Sequence, residues 1–338
     1  MPERLLARNI DPKGPRGMPG CGLYDWPMDG SSTTPASTLE GGRESAADPE
    51  LATALAAFTN LDYRDRFWPG RRYEDQCDRI ALRALLPATG GRLIDVGAGF
   101  GRLADEYAGY REVVLVDPSD ALLGNARERL GSDSRFTFLS GTAQHLPVAD
   151  ASVDAVVCVR VLHHVSDLRP AIAEFARVLR PGGVLVMETA NKRNLKAILA
   201  WLIRRRRSSP FRRGSERYVA MSLVPRPRGP RACVAVTRPD EHAGARRPWT
   251  APSYRHAPQD VRHLLREVGF AAVRTRSVGL LRPSLVTGHV PTRALSNLER
   301  VLQPALAPVT AGPSMFYAAV RAGGAVDSRH GCPAGGAA

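Results

Sequence analysis

Between residues 92 and 188 short, mostly apolar runs alternate with segments whose apolar residues recur every third or fourth position. The runs 92–96, 112–116, 135–139, 153–159 and 183–188 carry few polar interruptions, as expected of parallel strands covered on both faces. Upstream, Tyr73, Cys77, Ile80, Ala81, Ala84 and Leu85 predict a helix that Pro87 and Gly90-Gly91 end. Between the last two strands, Leu168, Ala171, Ile172, Phe175, Val178 and Leu179 predict another, with Ser166 or Asp167 as its cap and Pro170 in its first turn. Such alternation calls for an α/β fold with a doubly wound, mostly parallel sheet.

After Glu188 the pattern changes. Leu195, Ile198, Leu199 and Leu202 fall at i, i+3, i+4 and i+7, Trp201 and Ile203 widen the apolar face, and Arg204 to Arg207 follow. Four cations suit the partial negative charge of a helix C-terminus. Residues 208–253 are crowded with Pro, Arg and Gly and read as a mobile stretch. Regular structure returns with a helix through Val261, Leu264, Leu265 and Val268, a strand at 271–274 and a last strand at 315–320. The expected organisation is a disordered tail over 1–55, helices and a core over 56–190, and an insertion over 191–257. The rest of the sheet then occupies 258–322, and a second disordered tail 323–338.

The chemistry concentrates where the first strand ends. Ile94-Asp95-Val96-Gly97-Ala98-Gly99-Phe100-Gly101 places three glycines at alternate positions behind an acid, and a second apolar run ends in Asp117 about twenty residues later. Glycines admit a ligand close to the backbone, and a strand-tip acid accepts hydrogen bonds from ribose hydroxyls. A dinucleotide fold spaces its glycines G-x-G-x-x-G, but here Gly101 comes one residue early and Arg102 holds the dinucleotide position. Asp95 also repels a pyrophosphate and suits an ammonium. Glycine spacing therefore puts a nicotinamide dehydrogenase well behind other nucleoside binders.

These residues resemble the first motif, D/E-x-G-x-G-x-G, of the Rossmann-like (class I) S-adenosylmethionine-dependent methyltransferases, here of the small-molecule type. Leu146 to Cys158 is similar to that family's loop and fourth strand, Val161-Leu162-His163-His164-Val165 to the following turn, and Leu179 to Glu188 to its Pro-Gly-Gly turn and fifth strand. The resemblance implies a seven-stranded sheet with an insertion after the fifth strand, and S-adenosylmethionine as cofactor. It implies that Asp95, Gly97, Ala98 and Gly99 line the methionine and ribose side, that Asp117 binds the ribose diol, and that Pro118 and Ser119 flank the adenosine. Thr142, Ala143 and Gln144 would meet the adenine edge, with Thr142 where the family often has Asp.

The segment before the first helix, with Tyr63, Phe67, Trp68, Arg71 and Arg72, is either a lid over the methionine end or core aromatics with solvated arginines. His163 and His164, past the fourth strand, stand as candidate catalytic bases or as loop-packing residues. Glu188 reads as a structural acceptor. No metal or covalent intermediate is required, because the sulfonium already makes the methyl carbon electrophilic.

Composition narrows the picture further. The five cysteines Cys21, Cys77, Cys158, Cys233 and Cys332 show neither disulfide nor zinc spacing. No apolar run approaches the length of a secretory signal core or a membrane span, so a cytoplasmic protein is expected. The net charge of +14 is almost all arginine, a skew that genome base composition also produces. An Asn-Pro-Pro-aromatic turn for base amines and a Pro-Cys nucleophile for C5-cytosine are both lacking after the fourth strand. A small-molecule acceptor is favoured over nucleic acid. RNA modification and a non-catalytic cofactor-binding role remain the alternatives, and peripheral contact of residues 195–207 with an anionic membrane is a further expectation against a plain pocket-lid helix.

Overall fold

The computed structural model describes residues 70–204, 213–219, 252–281 and 290–323, together with Arg64, Trp68 and Phe211. The expected tail at 1–55, all but Gly323 of the expected tail at 323–338, most of the stretch 208–253, and Tyr63 and Phe67 lie outside the described residues.

Seven strands form the central sheet: β1 (Gly90–Val96), β2 (Tyr110–Asp117), β3 (Phe136–Ser140), β4 (Val153–Cys158), β5 (Leu179–Ala190), β8 (Phe270–Val278) and β9 (Ser314–Arg321). A two-stranded ribbon of β6 (Glu216–Val219) and β7 (Pro252–Arg255) stands apart from it. The order is β3-β2-β1-β4-β5-β9-β8, with β1 to β5 parallel and β9 antiparallel between β5 and β8. This is the mostly parallel, Rossmann-like sheet the sequence implied. The chain winds outward from β1 in one direction and then returns to β4, so the ends of β1 and β4 flank the switch point where open α/β sheets bind ligands.

Strand alternation fills two cores. Ile94, Val114, Val156 and Leu185 face α3 (Arg169–Val178) and α5 (Pro258–Glu267), packing on Ile172, Phe175 and Leu265. Leu93, Val113, Ala155, Val157 and Val186 point the other way, onto α1 (Arg72–Leu85) and α6 (Thr292–Ala305) through Tyr73, Cys77, Leu82 and Leu295. The remaining helices are α2 (Asp120–Leu130), after β2, and α4 (Leu195–Arg204), after β5.

Several elements differ in detail from the sequence expectation. α3 begins at Arg169 with Leu168 in the cap position and no side-chain cap there; the Asp167 carboxylate, one residue earlier, accepts the Arg169 amide at 2.9 Å. β5 runs from Leu179, four residues ahead of the expected strand, because the Pro-Gly-Gly turn is absorbed as an irregularity against β4, with Gly182 at φ 79°. β8 continues to Val278: its alternating Arg274 and Arg276 hide the strand in the hydropathy pattern, and a register shift near Ala272 (φ 50°) lets it pair onward with β9.

One buried acid ties helices to sheet. Glu299 of α6 is fully buried and accepts from Tyr73 Oη of α1 at 2.7 Å and from the Gly279 amide beyond β8 at 2.7 Å. Tyr73 Oη in turn accepts the Leu281 amide at 3.0 Å. Glu299→Ala strands the buried Tyr73 hydroxyl and the Gly279 amide and is expected to cost about 3 kcal/mol in urea unfolding. A loss under about 1 kcal/mol would contradict this role.

Candidate functional site

At the carboxyl edge of the sheet, register brings four strand ends together: Asp95 pairs with Leu115 and Val157, Cys158 lies one residue further on, and Asp117 and, on β5, Glu188 lie two residues further on. Leaving β1, the chain takes positive φ at Gly97 (71°), Gly99 (56°) and Gly101 (74°). A Cβ on Gly97 would lie 2.0 Å from Val161 Cγ2, so backbone and neighbour both require glycine there. At Gly99 a Cβ would meet nothing nearer than Leu122 Cδ1 at 3.9 Å; the φ demands glycine while the space above stays open. Trp68, Asp95, Gly97, Ala98, Gly99, Arg102 and Arg160 line the cleft that results, closed by Phe100, Leu103 and Val159, with a volume of about 370 Å³ including its mouth.

Two acids stand at the neighbouring strand tips, Asp95 in the lining of the cleft and Asp117 outside it. Asp95 is 3% exposed, and burial pushes its carboxyl up to about 7, although Tyr107 Oη donates to it at 2.8 Å and the nearby Arg102 charge pulls the other way. Asp117 is also raised by burial, opposed by the amides of Ser119 (2.9 Å) and Gly99 (2.8 Å) donating to its two oxygens. Those amides fix the carboxylate and tie the glycine turn to the tip of β2. Pro118 leads into α2, where Ser119 serves as cap, its Oγ 3.4 Å from the Leu122 amide. Thr142 and His145 close a small bridge that turns Ala143 into the core and leaves Thr142 and Gln144 half-buried.

The opposite wall is cationic. Asp78 of α1, fully buried, receives Arg160 through both oxygens (Nε 3.0 Å, Nη2 2.9 Å) and Arg102 Nη2 at 3.0 Å. Arg102 also pairs with Asp75 and stacks on Trp68, its Cζ 3.9 Å from the ring centroid. Arg160 holds a left-handed backbone, φ 65°, which its own amide stabilises by donating to Glu188 Oε2 at 3.1 Å. Glu188 thus accepts a structural hydrogen bond, as its sequence position suggested, and burial raises its carboxyl as well.

Of the residues expected here, Asp95, Gly97, Ala98, Gly99 and Trp68 line the cleft. Arg71 pairs with Glu74 at 3.6 Å, and Arg72 is exposed. His163 and His164 are half-buried on a 3₁₀ turn, their ring centroids 4.0 Å apart, and neither lines the cleft. Behind that turn, His256 places Nε2 3.2 Å from the Leu162 carbonyl and is held below the ordinary imidazole range, chiefly by burial. Sequence reasoning missed the Asp78–Arg160 pair. Its partners lie 82 residues apart, and the local hint was a non-glycine residue directly after a strand end. Among the described residues no cluster of His, Cys, Asp and Glu could hold a metal, and no helix is long and apolar enough to cross a membrane.

The donor set fits S-adenosylmethionine: a buried acid for an ammonium, a strand-tip acid oriented by two amides for a diol, and a glycine turn whose surface a Cβ would fill. Comparison with known proteins agrees. Residues 94–187 match a family model described as a methyltransferase domain. An uncharacterized methyltransferase of Mycobacterium tuberculosis is 43% identical over 106 residues, 31% of this chain and 42% of that protein. A demethylmenaquinone methyltransferase of Clavibacter sepedonicus is 38% identical over 115 residues (33% and 47%). A malonyl-[acyl-carrier protein] O-methyltransferase of Erwinia pyrifoliae is 32% identical over 139 residues (41% and 52%). The chain thus spans about half the length of these relatives. In fold it is similar to an S-adenosylmethionine-dependent methyltransferase from Thermotoga maritima, with TM-score 0.51 at 17% identity, covering 80% of this chain and 99% of that one.

Asp78→Ala leaves two partly buried guanidinium groups without their shared acid and is expected to lower stability by about 3 kcal/mol in urea unfolding. The Arg102–Trp68 stack should loosen with it, shifting Trp68 fluorescence. An unchanged midpoint would show that the arginine wall does not depend on Asp78.

Proposed function

We propose that this chain, whose residues 94–187 match a methyltransferase domain, is a class I S-adenosylmethionine-dependent methyltransferase that moves a methyl group from that cofactor to a small-molecule acceptor. The observation that carries the reading is the pairing of a buried Asp95 with the open, positive-φ turn at Gly97 and Gly99. Asp95 would take the ammonium of the methionine moiety and Asp117 the ribose diol, its orientation set by the Gly99 and Ser119 amides. Pro118 and Ser119 would flank the adenosine and Thr142, Ala143 and Gln144 its base. When bound, the cofactor supplies an electrophilic methyl carbon. The residues of this chain then contribute alignment and the exclusion of water, the latter through Trp68, Phe100, Leu103 and Val159 at the cleft.

A small acceptor is supported by the turn after β4. Val159-Arg160-Val161 stands where base-amine methyltransferases carry an Asn-Pro-Pro-aromatic turn, and relatives are named for demethylmenaquinone and for malonyl-[acyl-carrier protein]. A proton-accepting role would fall to His163 or His164 for an acceptor that reaches past the cleft to the turn leaving β4, since neither lines the cleft itself; otherwise both pack that turn. A cytoplasmic location completes the reading.

Calorimetry should detect S-adenosylhomocysteine binding to the full chain. Gly97→Ala, whose methyl collides with Val161, should weaken it at least tenfold while Gly124→Ala, on an open stretch of α2, should not. Absence of binding in the wild type would end the cofactor reading. With a tritiated methyl donor, label should enter small organic acceptors; label confined to RNA would contradict the acceptor class. With a working acceptor, His163→Ala or His164→Ala should reduce turnover at saturating cofactor about hundredfold, and unchanged rates in both would remove the base.

A further inference from the structure

The apolar face of α4 is not spent on the core. Leu195 is 52% exposed, Leu199 47%, Leu202 59% and Ile203 79%, and their spacing of i, i+4, i+7 and i+8 sets them on one side of the helix. Ala197, Ile198 and Trp201 are the better covered positions. Phe211, 47% exposed, extends the surface: its ring meets Trp201 edge-on at 5.9 Å, Arg193 Nη2 donates to its carbonyl at 3.1 Å, and the Arg193 guanidinium lies 5.4 Å from the ring. Surface aliphatics of this number on one ten-residue helix ask for a partner.

Charge says which partner. Residues 193–213 hold eight Lys or Arg and no Asp or Glu, among them Lys196 on α4 itself and Arg213, both exposed. Aliphatic side chains flanked by cations match acyl chains beneath anionic headgroups. Recognition of single-stranded RNA would instead present aromatic platforms to the bases, and this face is aliphatic apart from Phe211. A helix of about 15 Å is far too short to span a bilayer but long enough to lie in its interface.

We infer that α4, with Leu195, Leu199, Leu202, Ile203 and Phe211, docks this protein onto an anionic lipid bilayer surface. α4 follows the carboxyl end of β5, on the sheet edge that carries the cleft, so docking would bring that edge to the bilayer. The inference stands independently of methyl transfer, and its test uses neither cofactor nor acceptor.

The test is co-sedimentation of the full chain with vesicles of phosphatidylcholine alone or mixed equally with phosphatidylglycerol, at low and high salt. Binding is expected on the anionic vesicles at low salt, at least tenfold weaker at high salt and on the neutral vesicles. The double variant Leu199→Glu/Ile203→Glu changes exposed positions, so its thermal melt should match the wild type while its vesicle binding falls at least tenfold. No enrichment on anionic vesicles, or equal binding by the folded double variant, overturns the inference. So does a lipid-free dimer that the double variant abolishes, since the face would then belong to a second copy of the chain.

Discussion

A carboxylate buried at the tip of the central strand sets the terms for everything around it. Asp95 lies between Leu115 and Val157 of the adjacent strands, where water cannot solvate its charge. Its hydrogen bond from Tyr107 does not offset that burial, which raises the carboxyl to about 7. A buried acid left in that condition disfavours the folded protein as the pH rises from its unfolded value near 4 through 7, because the unfolded chain ionises it freely. Such a cost is consistent with the proposed role of Asp95 as the acceptor of a ligand ammonium. A ligand ammonium would restore the charged form and recover the lost free energy as affinity.

The surrounding architecture keeps that acid addressable. The three glycines turn the chain away from β1 without covering it, and the Gly99 amide on Asp117 locks the turn to β2. Across the cleft, Asp78 gathers Arg102 and Arg160, so that α1 and the ends of β1 and β4 behave as one unit. Arg102 stands where a dinucleotide fold places its third glycine. There, glycine permits a helix to pack tightly on the strand; here a 3₁₀ turn, Ala104–Tyr107, follows instead and supplies the tyrosine that reaches back to Asp95. One change in glycine spacing thus alters both the ligand the turn admits and the donor its acid receives.

Much of this was legible along the chain because the signals are local. Strand runs, the glycine triplet and the two acids each fit within a dozen residues, and the doubly wound class followed from the alternation of strand and helix. What escaped depends on distant residues. Asp78 looks like an ordinary polar position of an amphipathic helix until the fold sets two arginines against it. The length of β8 was hidden by outward arginines, and the start of β5 by a Pro-Gly-Gly turn that reads as a loop. On α4 the periodicity identified an apolar face correctly, but periodicity cannot say whether such a face meets core or solvent, and here much of it meets solvent.

The central claim is that a buried Asp95, its carboxyl raised by burial, would receive the ammonium of the proposed ligand in its charged form, and it predicts proton release on binding. Calorimetric titration with S-adenosylhomocysteine at pH 7 in buffers of different ionisation enthalpy measures it directly. The wild type should release more protons than Asp95→Asn, the variant cancelling any contribution from the amine of the ligand. Identical proton counts in the two proteins would contradict the account.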